Sequence, residues 1–261
     1  MNSLVKDHTL ALLAKGTRED SRKTDEYRDI SIEYGISPKS AEGSARVKIG
    51  DTEVVAGVKV EMGRPFPDKP DQGSIMVNCE LLPMSNPKFE SGPPSIGSIE
   101  LSRVTDRVLR ESGVLDFKKL CIEKGEKVWN LLIDIYPINA DGNLFDAAYL
   151  CALAALKDMK FPKVVDEKIQ YGTPSKQGAN LVKDRLPLSC TVWKIGDHLV
   201  IDPTYTEEQC AEGRLTVGIL PNKALCALQK GQEKALTSDE IDQMVDLAIK
   251  KSLELRKVFE K

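Results

Sequence analysis

Wound at about 100° per residue, residues 99–110 place Arg103, Arg107 and Arg110 within about 60° of one another, apart from a stripe of Leu101, Val104 and Val108. Guanidinium binds phosphate through a planar fork, so a row spaced at one helical turn can follow successive phosphates of a single nucleic-acid strand. The same face can equally be a solvated one, paired with Glu100, Asp106 and Glu111 through i,i+3 and i,i+4 contacts. Arg64 is a further cation that reaches either a nucleic-acid backbone or open solvent. Other chemistries have little to draw on. There are two histidines, His8 and His198, too few for a His-rich metal site or a Ser-His-Asp triad. The six cysteines (Cys79, Cys121, Cys151, Cys190, Cys210, Cys226) never form C-x-x-C and most sit in apolar stretches, which predicts buried thiols. No nucleophile–base pair, glycine-rich phosphate loop or metal cluster stands out, so no catalytic residue, metal or cofactor is expected and binding is favoured over turnover. Trp129 and Trp193 lie in apolar strands, where core packing is the simpler role and base stacking the alternative.

These residues belong to a chain of 261 amino acids, 41% hydrophobic and 30% charged, with 18 Gly and 14 Pro dispersed through it. That balance excludes collagen-like, low-complexity and wholly disordered classes and leaves one large domain or two related halves. Net charge is −3, so any phosphate binding must be local. No apolar run approaches the roughly 20 residues needed to cross a bilayer, and Lys6, Asp7 and His8 interrupt any leader-like stretch. A soluble, cytoplasmic protein without membrane contact is the expectation.

The elements that must position the arginines follow from periodicity. Leu4 to Leu13 suits a short helix ending near Gly16. Ile30–Tyr34, Ala45–Ile49 and Thr52–Glu61 read as strands, the last two joined at Gly50-Asp51. Three prolines make Gly63–Pro70 a loop into a fourth strand, Ser74 to Leu82, giving a meander of about four strands. A loop from Pro83 to Pro94 then delivers the arginine-bearing helix, which runs from Ile96 through Arg110. A strand Val128–Tyr136, an Ala-rich helix Phe145–Met159 and a charged linker Lys160–Lys168 come next. Strands near Leu188–Ile195, His198–Asp202 and Leu215–Leu220 follow, and a helix opened by the capping box Thr237-Ser238-Asp239-Glu240 reaches about Phe259. The expected fold is α+β, in two similar β-rich/α halves of approximately 1–160 and 161–261.

Several of these segments, in order along nearly the whole chain, resemble the RNase PH-like family. Gly16-Thr17-Arg18-Glu19-Asp20-Ser21-Arg22 with Tyr27-Arg28 and Ile30 is similar to its G-x-R-x-D-x-R…R-x-I opening, and Thr52–Val58 to its G-x-T-x-V-x-A strand. Ile99–Arg110 resembles its E-x-x-R-x-x-x-R-x-x-R helix, and Val128-Trp129 through Ile138–Asn143 its strand and D-G-N turn. The resemblance extends to the non-catalytic ring subunit of the archaeal exosome. It implies one RNase PH-like domain that alternates with a catalytic RNase PH-like paralogue in a hexameric ring. In that ring RNA-binding cap subunits and single-stranded RNA are partners, and RNA is degraded 3′ to 5′ by phosphorolysis. Two departures separate the chain from catalytic relatives. Where those carry a G-G-T-R-like phosphate site, Leu144 and Phe145 follow Asp141-Gly142-Asn143, and counting from Asp202 puts their acidic pair near Glu208 and Arg214, a cation that would repel a metal. Arg103, Arg107, Arg110 and Arg64 are the residues this reading places on RNA. The rival reading makes the chain itself a phosphate-dependent 3′–5′ exoribonuclease. A third makes it a monomeric α/β binding protein unrelated to RNA.

Overall fold

A computed structural model describes residues 3–165 and 168–260. Strict alternation of small and β-branched residues builds its first sheet. In β3 (Thr52–Gly63) every second side chain from Thr52 to Val60 is buried, which leaves one face for a core and one for water. β3 pairs antiparallel with β2 (Gly43–Ile49) across the two-residue turn at Gly50-Asp51, and β2 pairs with β1 (Ile30–Tyr34). Beyond β3 the expected meander fails. β4 (Ser74–Cys79) skips β3 and lies parallel to β6 (Lys127–Asn139), which itself pairs antiparallel with β3, so the order is β1-β2-β3-β6-β4. Parallel neighbours need a crossover, and the helix between them supplies it. The Pro-rich residues 64–73 are too long a connection for a tight hairpin. A short β5 (Cys121–Glu123) adds to β6.

The crossover helix α2 (Ile96–Ser112) starts at Ser95, whose side chain accepts from the Ser98 N–H, and ends at Gly113 in the left-handed conformation. With α3 (Leu144–Asp158) it lies between the first sheet and a second. α3 is buried on every side from Phe145 to Leu156, and its alanines let both sheets approach its backbone. The second sheet has order β10-β9-β11-β12, from β9 (Leu188–Ile195), β10 (His198–Ile201), β11 (Gly213–Ile219) and β12 (Leu225–Gly231). All of β9 and β11 is buried because α5 (Ser238–Phe259) covers the far face. The layers are thus sheet, helix pair, sheet, helix, and the fold is α+β. Thr237 caps α5 in a full capping box with Glu240, as its sequence signalled. At the near end, α1 (Ser3–Leu13) packs Leu10 and Leu13 against Ile195 and Val200 beside α4 (Tyr205–Cys210).

Two further readings are corrected. The stretch expected as a charged linker is a hairpin of β7 (Lys160–Val165) with β8 (Lys168–Gly178); residues 166 and 167 lie outside the described residues. Its lysines masked the β-forming Phe161, Val164, Val165, Ile169 and Tyr171, although lysine is what an exposed two-stranded ribbon uses to stay unpaired. Phe161 anchors it, with its ring centroid 5.4 Å from that of Trp129. β12 has no counterpart in the sequence reading, because its burial follows no period of two. The cysteines form no disulfide; Cys79, Cys151, Cys190 and Cys210 are buried and Cys121 and Cys226 half-buried. Both tryptophans pack in the core. Among the described residues no helix is long and apolar enough to cross a membrane.

Candidate functional site

α2 crosses between the exposed edges of both sheets, and this fixes where its arginines stand. Leu101, Val104, Thr105, Val108 and Leu109 are buried, so Arg103, Arg107 and Arg110 are turned to solvent. They line a groove of about 400 Å³ with Ile75, Met76 and Val77 of β4. Arg110 reaches the β4 edge, donating to the Ile75 carbonyl at 3.0 Å, and Arg107 reaches β12 through Gln229 Oε1 at 2.9 Å. The alternative of a carboxylate-paired face holds for one arginine. Asp106 forks Arg110 at 2.7 and 3.0 Å and holds its guanidinium more basic than usual. Arg103 has no ion-pair partner among the described residues, and Glu100 turns away to pair with Arg214. Two of three guanidiniums therefore keep their charge uncompensated. Arg64 stands exposed on the loop between β3 and β4 and does not line this groove.

Four residues from the two sites at which the sequence analysis reads a departure from the catalytic family pattern meet in a second cavity, of about 230 Å³, between the two sheets. Leu144, Phe145, Glu208 and Arg214 all line it, although they are up to 70 positions apart (144 to 214). Arg214, only 3% exposed, lays its guanidinium 3.6 Å from the Phe145 ring centroid and 5.4 Å from that of Trp193, and ion-pairs with Glu100. Its other face rests on Gly231, where any side chain would collide with the guanidinium. The D-G-N turn is held as tightly. Gly142 has φ +84°, and a Cβ there would run into the Pro203 carbonyl, while Asn143 is left-handed at φ +52° and opens α3 without a side-chain cap.

The turn is clasped from behind by the N-terminal segment. Asp202, fully buried at φ +48°, accepts from Arg22 at 3.0 Å, from the Arg28 backbone, Nε and terminal nitrogen at 2.8, 2.9 and 2.8 Å, and from Asn143 at 2.9 Å. Its backbone carbonyl accepts from Arg18 at 2.7 Å, and Arg18 also ion-pairs with buried Glu207. From sequence, Asp202 stands only at the end of a strand and the spaced arginines only within the family resemblance. Fixed arginine spacing opposite a lone strand-end aspartate was the available signal, and 174 positions separate Asp202 from Arg28.

Burial pushes the Glu208 carboxyl up to about 7 and Asp146 up to about 6. Between the ordinary carboxylate range and these values the folded chain holds protons that the unfolded chain has released. Stability is therefore fully present at low pH within this window and is lost as pH rises through 6 to 7. We expect stability to be lower at pH 8 than at pH 5, by roughly 2 kcal/mol from Glu208. Urea midpoints at the two pH values measure this, and Glu208→Gln should flatten the dependence. A midpoint that rises with pH would refute it.

Residues 26–162 match domain 1, and residues 185–251 domain 2, of the 3′ exoribonuclease family, RNase PH. The chain is 47% identical over 257 residues to exosome complex component Rrp42 of Methanocella arvoryzae, covering 98% of this chain and 96% of that protein. It is 45% identical over 250 residues to the Rrp42 component of Methanothermobacter thermautotrophicus, covering 96% and 92%. A chain of the Archaeoglobus fulgidus exosome with RNA bound to the active site superposes with a TM-score of 0.87 at 39% identity, covering 98% of each chain.

Proposed function

The chain belongs to the 3′ exoribonuclease family, and from that premise we propose that it is a non-catalytic subunit of an archaeal-type exosome ring. In this reading its halves, 1–160 and 161–261, act as a single RNase PH-like domain. It alternates in a hexamer with a catalytic RNase PH-like paralogue in the cytoplasm, under RNA-binding cap subunits. It helps structure the partner's active site while single-stranded RNA is degraded 3′ to 5′ by phosphorolysis. Arg103, Arg107 and Arg110 line the RNA path, with Arg64 a more distant contact. RNA at the active site of an exosome with a 39% identical chain supports the assignment.

The observation that carries the non-catalytic reading is Arg214. It lies over Phe145 and pairs with Glu100 in the cavity, so that pocket holds its own cation, with Leu144 and Phe145 where phosphate ligands would have to stand. Attacking phosphate would find no spare positive charge there, because Glu100 already pairs the lining cation and Glu208 adds a second carboxyl. The purified chain alone is expected to release no nucleoside diphosphates from single-stranded RNA with phosphate and magnesium, and to support release when co-assembled with the paralogue. Robust phosphorolysis by the isolated chain would overturn the assignment in favour of the enzyme reading. Arg214→Asp should not restore activity. It leaves Leu144 and Phe145 in place and sets a third carboxylate beside Glu100 and Glu208, so reduced stability with background turnover is the expected pair of results.

A further inference from the structure

The β7–β8 ribbon forms one side of a surface cleft of about 220 Å³ that the ring-subunit reading leaves unused. Its two strands lose register there. β7 advances one residue, from Pro162 to Lys163, while the paired positions on β8 are four apart, Pro174 and Gln170. The residues left over, Tyr171, Gly172 and Thr173, bulge out around Gly172 at φ +77° and make one lip of the cleft. Core packing does not explain the bulge, because Tyr171 is 54% exposed. The Tyr171 ring centroid lies 4.9 Å from Lys59 Nζ of β3, and its hydroxyl donates to the Val60 carbonyl at 3.4 Å, so the ring is held against β3 and still meets solvent.

Two more lysines line the cleft, Lys39 ahead of β2 and Lys160 at the start of β7. Both are exposed, and neither has an ion-pair partner among the described residues. The two carboxylates of the lining are engaged elsewhere. Glu42 accepts from Lys59 at 3.1 Å and from the Val60 N–H at 3.2 Å, and Asp158 accepts from the Ser44 N–H at 3.0 Å. A second exposed tyrosine, Tyr34, adjoins the lining residue Gly35 and carries Lys157 over its ring at 5.1 Å. Exposed rings interleaved with ammonium groups suit a ligand that has flat faces and phosphates in series, which is what a single nucleic-acid strand offers. An acidic peptide would use the lysines and leave the rings idle. A lone phosphate would meet two solvated lysines, too little to hold it without its neighbours along a chain.

We propose that this cleft is a second contact for single-stranded RNA, with a base stacked on Tyr171 and phosphates on Lys39 and Lys160. The inference rests on the RNA-degrading reading above, but none of these residues lines the α2 groove.

Oligouridine binding to assembled rings tests it. Lys39→Ala with Lys160→Ala should lower the salt slope by up to about 1.4 units, on the order of 25-fold in affinity near 0.1 M salt. Tyr171→Ala should weaken binding at least about 5-fold, the low end for one stacked base, whereas Tyr171→Phe keeps the ring and should bind as the parent does. RNA carrying 4-thiouridine should photocrosslink to the peptide that contains Tyr171, read by mass spectrometry. Affinity that follows the lysines but ignores Tyr171→Ala reduces the cleft to diffuse attraction and overturns the proposal. Competition by polyglutamate or by uridine monophosphate as effective as that by oligouridine overturns it too, in favour of an acidic protein or a free nucleotide. Failure of the lysine variants to form rings would make the cleft a subunit contact instead. Rings whose RNA affinity responds to the α2 substitutions and to none of these variants overturn this contact alone, and rings that bind no RNA overturn both it and the reading it rests on.

Discussion

Asp202→Ala is expected to destabilise the chain by about 3–5 kcal/mol, the usual cost of removing one partner from a buried ion-pair network. Arg22 and Arg28 would lose the carboxylate they share, and Asn143 would lose the acceptor that holds the D-G-N turn. For a protein of this size the melting temperature should fall by on the order of 10 °C. The urea midpoint should drop with little change in slope if the clasp opens together with the rest of the fold. Faster tryptic cleavage after Arg22 or Lys23 would locate the opening at the N-terminal segment. Arg107→Ala makes the contrast, since this exposed side chain has one solvent-exposed hydrogen bond, to the neutral amide of Gln229, and its loss should cost well under about 1 kcal/mol. Equal stability losses in the two variants would show that the clasp does not hold the halves together.

The largest functional effect is expected from replacing Arg103, Arg107 and Arg110 together by alanine in the assembled ring. Each phosphate contact on a single strand contributes about 0.7 to the salt slope, so the triple variant should lose up to about 2 units and on the order of 100-fold in affinity near 0.1 M salt. The loss should be similar across RNA sequences, because phosphate contacts carry no base information. Arg103 and Arg107 should contribute more than Arg110, whose charge Asp106 already offsets. Steps between single, double and triple variants need not add, since the three line one groove. Filter binding at several salt concentrations, on rings verified by sizing, gives both numbers. An unchanged slope and affinity in the triple variant would leave α2 as a solvated face and withdraw the arginines from the RNA path.

What the sequence by itself determined is local. Leu101, Val104 and Val108 recur at helical spacing, so the arginines between them could only face outward once that stripe was buried. The alternation of β3 and the capping box of α5 are likewise read within a few residues, and each is present in the folded chain. The motif order suffices for the family, and the proposal that the chain lacks a phosphate site rests on two side chains, Leu144 and Phe145. Tertiary structure decided everything that depends on who meets whom. β4 and β6 pair parallel because a helix carries the chain across, which no residue in β4 announces. The Lys160–Lys168 stretch is half of a hairpin because Phe161 finds Trp129. Above all, Arg214 was visible as a misplaced cation but not as a buried one. Its place depends on Glu100, Phe145 and Gly231, contributed by α2, α3 and β12, and only packing the two sheets around the helix pair brings those groups within contact of a single guanidinium.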